Sequence, residues 1–186
     1  MKLDQFLGYD LKVWPPQDEA PFGKIQGYLS ISDVWWSSGI QKAKSQIFYG
    51  PNQSLCDSRE RIHQLIEISR SDLNGEYVMV AFNLVAPGYV SGHLYPTEET
   101  TEFQYVSMGY DIADEFGFSP FAELRSYMEV NTESFPRINR WGLLDSLADA
   151  MSIIPFCEDS YSEDKPFFPV EVLIELSTFR FKSADA

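Results

Sequence analysis

The chain has 186 residues, of which 44% are hydrophobic, 15% aromatic and 23% charged. That length and composition fit one domain, residues 1–186, with a real core, and exclude a disordered chain. Acidic residues number 28 against 14 basic ones, a formal net charge of −14, so the basic footprint that nucleic-acid binding needs is absent.

No run approaches the roughly 20 apolar residues of a transmembrane helix. The opening stretch, Met1 to Asp10, lacks the long apolar segment of a secretion signal. Both features predict a cytoplasmic protein that does not engage the membrane.

In chain order, a short strand is expected over about Gln5 to Val13, followed by a loop at Pro15-Pro16. Alternation of Ile25, Gly27, Leu29 and Ile31 with polar neighbours predicts a strand from Lys24 to Ser32, and Gln46 to Tyr49 reads as another. A helix follows from about Ser58 to Ser69, with Ile62, Leu65 and Ile66 as its buried stripe. Asp57 and Glu60 suit a capping box there. Asn74-Gly75 marks a turn, and Glu76 to Ala86, rich in β-branched and aromatic residues, is the clearest strand and should lie centrally.

Glu102 to Met108 alternates as a further strand. Asn139 is expected to cap a second helix with the stripe Leu143, Leu144, Leu147, Ala150 and Met151, and Asp145 and Asp149 on its polar face. Glu158 to Pro166 reads as an acidic loop, and Phe167 to Leu176 as the last long strand, with an extension through Thr178 to Phe181 left open. Strands outnumber helices and come in runs. The fold class is α+β: a mostly antiparallel sheet with two or three packed helices. Gly8-Tyr9-Asp10-Leu11 and Gly109-Tyr110-Asp111-Ile112 resemble each other, but four residues are too few to establish a duplication.

Catalytic signals are sparse. The two cysteines, Cys56 and Cys157, form no CxxC and lie near no histidine at metal-ligand spacing, so no metal or cofactor is expected and both thiols should be reduced and buried. His63 falls on the polar flank of its helix. Ser91 and His93 would share a strand face, yet nothing marks a strained elbow or an oxyanion hole. No glycine-rich phosphate cradle occurs. Carboxylates are so numerous that no single pair stands out as an acid–base couple, and the chain is not expected to be an enzyme.

The charge is unevenly placed. Residues 1–97 hold 10 acidic and 8 basic side chains, whereas residues 98–186 hold 18 and 6. Three clusters supply much of the excess: Glu98, Glu99 and Glu102; Asp111, Asp114 and Glu115; Glu158, Asp159, Glu163 and Asp164. Aromatic residues, among them Tyr110, Phe116, Phe118, Tyr127 and Tyr161, lie between them. Carboxylates that speed encounter beside aromatics that hold the complex are the composition of a surface for a basic partner. A merely solvating acidic face is the plain alternative.

From Gly109-Tyr110-Asp111-Ile112-Ala113-Asp114 onward, with Trp141-Gly142-Leu143-Leu144-Asp145 and Pro166-Phe167-Phe168 before the last strand, the chain resembles immunity proteins of bacterial polymorphic toxins over roughly residues 80–176. The resemblance implies a small, acidic, cytoplasmic protein without catalytic groups that neutralises a cognate toxin domain, for instance a nuclease, by occluding its active site. The partner would be a basic protein. Contact candidates are Tyr110, Asp111, Asp114 and Glu115, then Glu158, Asp159, Glu163 and Asp164. Structural roles stay open for the first group: Asp111 and Asp114 as caps of a short helix after Gly109, Tyr110 as core. The alternative function is a small-ligand or carbohydrate-binding domain that uses Trp35, Trp36 or Trp141 with carboxylates. Oligomeric state is not legible.

Overall fold

A computed structural model describes residues 6–14, 29–31, 55–69, 76–86, 105–131, 133–161, 166–175 and 181–182. In chain order the elements are β1 (Phe6–Trp14), α1 (Arg59–Ser69), β2 (Glu76–Leu84), β3 (Tyr105–Ala113), α2 (Pro120–Val130), α3 (Leu147–Ser160), β4 (Phe168–Glu175) and β5 (Phe181–Lys182). The sheet runs β1-β2-β4-β3 with every pairing antiparallel, and β5 adds Lys182 and Phe181 opposite Glu76 and Tyr77 of β2. The fold class is α+β, as expected.

The two central strands are apolar on both faces, which is why they sit centrally. Val78, Val80, Phe82 and Leu84 of β2 share one core with Val170, Val172 and Ile174 of β4, closed over by Leu29, Ile31, Leu55 and Leu143. On the opposite face Met79, Ala81 and Leu173 pack with Tyr9, Leu11 and the α1 stripe Ile62, Leu65 and Ile66. The register sets Ile112 opposite Pro169, in phase with Leu173, so the core formed by Ile112, Phe121, Met128, Ala150, Ile153 and Cys157 lies on that same helical face. Each buried Val, Leu, Ile, Phe or Met among these contributes roughly 1.5–3 kcal/mol of transfer free energy.

The sheet is built from two copies of one unit. β1 pairs with β2, and the chain between them returns to β1 through a bridge in which Tyr9 N–H donates to Cys56 C=O (2.7 Å) and Cys56 N–H to Tyr9 C=O (2.8 Å). β3 pairs with β4, and Tyr110 makes the same reciprocal bridge with Leu144 (2.7 and 2.9 Å). Two residues past each bridge stands a serine that caps a helix: Ser58 Oγ accepts from Arg61 N–H (3.4 Å), and Ser146 Oγ from Asp149 N–H (3.1 Å). Both edge strands carry a register shift just before a glycine of positive φ, Gly8 (146°) and Gly109 (129°). The resemblance between the two Gly-Tyr-Asp segments thus marks equivalent places in a doubled fold. α2 is added in the second copy.

Several local expectations change. Ser58, not Asp57, caps α1. Asp57 instead pairs with Arg61 Nε at 3.1 Å, one helical turn on. Gly109 does not end a strand, because β3 continues to Ala113. Asn139 caps no helix. Its side chain ties the bridge loop together, donating to Met108 C=O (3.0 Å) and accepting from Trp141 N–H (2.9 Å) and Leu143 N–H (3.2 Å). The buried stripe of α3 is Ala150, Ile153 and Cys157, whereas Leu147 and Met151 point outward. Glu158, Asp159 and Ser160 close α3 instead of forming a loop. Leu29 to Ile31 cover the sheet without being a strand. The expected strand at Gln46 to Tyr49, with Trp35, Trp36, Ser91 and His93, lies outside the described residues.

Candidate functional site

The first predicted cluster is taken apart by β3. Alternation along the strand sends Tyr110 and Ile112 to the helical face and Asp111 to the other. Tyr110 is half-buried against the core of α2 and α3, and burial, with the Glu171 carboxylate nearby, raises its hydroxyl pKa. Asp111 is fully buried and cannot meet a partner. It leaves the set of contact candidates.

What Asp111 does is organise. Oδ1 accepts from Ile112 N–H (2.8 Å) and Ser119 Oγ (2.7 Å), and Oδ2 from Ser30 Oγ (2.6 Å) and Ile31 N–H (2.8 Å). Ser119 is in turn the cap of α2, accepting from Ala122 N–H at 3.2 Å, with Pro120 next in the first turn. One carboxylate therefore joins β3, the segment over the sheet and the start of α2. Desolvation pushes the Asp111 pKa upward, and the four hydrogen bonds oppose it.

Asp114 is half-exposed and shapes a tight turn. Its Oδ1 accepts from Phe116 N–H (2.9 Å) and Phe118 N–H (2.8 Å), with Gly117 at φ 85° completing the bend. The turn holds Phe116 out in solvent, 50% exposed, and directs Phe118 inward against Tyr161 (5.7 Å) and Phe167 (6.5 Å). Neither Asp111 nor Asp114 caps a helix after Gly109.

The exposed acidic groups lie on the helical layer and its rim. Glu115 and Glu158 are half-exposed and Asp159 is exposed, while Glu163 and Asp164 lie outside the described residues. Glu123 on α2 and Asp145 before α3 are also exposed. Tyr161 Oη donates to Glu123 Oε2 at 2.5 Å, tying the end of α3 to α2 and pushing the tyrosine pKa up to about 12. Apolar groups stand among these carboxylates: Tyr127 is 54% exposed, Met151 55% and Leu147 38%. Tyr127 stacks on Phe156 (5.9 Å), and Phe135 leans on both. The basic side chains exposed here, Arg137 and Arg140, belong to the loop between the helices, where Arg140 lies over the Trp141 ring at 4.6 Å. Sequence reasoning missed Leu147 and Met151 as surface residues because their spacing suits a core stripe equally well.

Other chemistry finds little support among the described residues. No group of three or more His, Cys, Asp and Glu side chains gathers to hold a metal ion, and no helix is long and apolar enough to cross a membrane. Cys56 and Cys157 are buried free thiols. The buried Arg59–Glu175 ion pair (2.6 Å) anchors α1 to β4, and His63 stands exposed on α1. No protein-family model, curated protein or solved structure matches the chain.

Proposed function

We propose that this chain is a stoichiometric binding protein for a basic protein partner, acting as immunity proteins do when they occlude a cognate toxin domain. One observation carries the reading. Phe116, Tyr127, Leu147 and Met151 stand exposed in the second structural unit, together with the exposed or half-exposed carboxylates of Glu115, Glu123, Asp145, Glu158 and Asp159. Apolar anchors within a field of one sign are what a tight, steered complex uses. A solvating face has no need of the anchors.

The test is co-expression with the product of the gene immediately upstream. The reading predicts rescue of growth and recovery of both proteins as one stable complex. Growth arrest that this protein does not relieve, with no complex recovered, contradicts it.

A further inference from the structure

α1 and α3 are equivalent helices of a doubled fold, so outward faces serving only solubility would be alike. They differ. α3 exposes Ala148, Met151 and Pro155, where α1 exposes Glu60, His63 and Glu67 at the equivalent positions. Leu147, Met151 and Pro155 recur every fourth residue and so line one side of α3. On the flank of α3 turned toward α2, Phe156 stacks on Tyr127. Pro155 lacks an N–H, so the helix forms no bond from position 155 to the Met151 carbonyl, and the proline ring itself adds apolar surface to the strip. Asp145 precedes the strip and Glu158 and Asp159 lie at its end, whereas Asp149 turns to the other flank and accepts from Ser146 Oγ (2.6 Å); no lysine or arginine occurs in Leu147–Ser160.

We propose that the outward face of α3, centred on Met151, is the docking site for a basic protein segment. Its apolar side chains would lie along Leu147, Met151 and Pro155, and its lysines or arginines would meet the carboxylates at either end. The proposal rests on the reading of the chain as a binder of a basic partner and assigns that binding to one helix. A second copy of this chain is disfavoured as occupant, because the carboxylates at the ends of the two strips would confront one another.

The test titrates the full chain, labelled with nitrogen-15, with two synthetic peptides of equal arginine content. One alternates arginine with leucine and tryptophan, and the other replaces those apolar residues by serine. The expected amide shifts gather between Leu147 and Asp159, and the amphipathic peptide binds more tightly. Met151→His, which installs the residue that α1 carries at that place, weakens it about tenfold or more. His63→Met on α1 leaves binding unchanged. Thermal unfolding of each variant checks the fold.

Shifts centred on α1 or scattered over the surface, or unaltered binding by Met151→His, overturn the placement on α3 and leave the basic-partner reading intact. A dimer that Met151→His dissolves would assign the face to a second copy and overturn it too. Failure of both peptides to bind counts against the placement and the reading together.

Discussion

Phe82 and Val172 pair with each other at the centre of the sheet, and each also faces the glycine of its own edge strand, Gly8 for Phe82 and Gly109 for Val172. A twofold axis normal to the sheet between these two residues relates the units: Ala81 opposite Leu173 becomes Glu171 opposite Asn83. The tyrosine bridges, serine caps and glycine bulges are therefore matched pairs, and their energetics should match.

The glycines test this. A Cβ on Gly8 would lie 2.7 Å from Leu55 Cβ and 3.0 Å from Cys56 O, and one on Gly109 2.6 Å from Leu144 O and 2.9 Å from Asn139 Nδ2. Both sites also have φ values that disfavour a side chain. Gly8→Ala and Gly109→Ala should each cost more than about 1 kcal/mol in urea unfolding. If either substitution is neutral, the close approach of the bridge loop at that edge is wrong.

Asp111→Asn presents an amide to an acceptor site lined by donors. Backbone N–H groups cannot reverse, so the variant should lose about 1–3 kcal/mol for each donor left unpaired. Its pH dependence has a definite sign. Because burial raises the folded-state pKa, the folded protein holds this proton more tightly than the unfolded chain does. The carboxyl group's contribution is full below the ordinary aspartate range and declines as pH rises through the folded value. Acid-range unfolding of wild type against Asp111→Asn should show that slope only in the wild type. A stable variant with an unchanged profile refutes the organising role.

Tyr161 predicts the alkaline limb. Its hydrogen bond to Glu123 favours the neutral phenol and moves its pKa from 10.0 to about 12. The stabilisation is complete below pH 10 and disappears as pH climbs toward 12. Comparing denaturation midpoints of wild type and Tyr161→Phe across this range checks it: the gap should close at high pH. A constant gap argues against the Tyr161–Glu123 bond.

Cys157 is buried, with its thiol pushed up to about 12 by desolvation and by Asp111 and Glu158 nearby. Thiolate formation is suppressed, so modification by a thiol reagent at neutral pH should proceed only through opening of the α3 core. Rates measured at increasing urea should track unfolding. Rapid labelling of native Cys157 would contradict the packing.

Legibility followed how local each signal was. β1, β2 and β4 were readable because β-branched and aromatic runs bounded by turn residues have few other solutions. α1 was readable from Ile62, Leu65 and Ile66, which do face the core. β3 was cut short at Gly109 because a glycine inside a strand looks like an end, whereas here it admits the Leu144 carbonyl. α2 has its clearest local signal in Ser119-Pro120, a cap followed by a first-turn proline, but its short apolar spacing does not distinguish a helix from the loop around it. Leu143 and Leu144 fit the spacing of a helical stripe, yet the Leu144 backbone pairs with Tyr110 in the bridge. Choosing between burial and exposure for Asp111 or Met151 required the pairing partner of the strand and the neighbour of the helix, and both are distant in sequence.

The central claim is that the acidic, apolar-studded face of the second unit steers and holds a basic partner. Its most direct test is the association rate constant of the co-purified complex, measured by stopped flow from about 0.01 M to about 1 M salt, over which the screening length shrinks from about 30 Å to about 3 Å. Steering predicts a fall of about tenfold or more, with much smaller changes in dissociation. A rate constant that stays flat across that range would contradict the account.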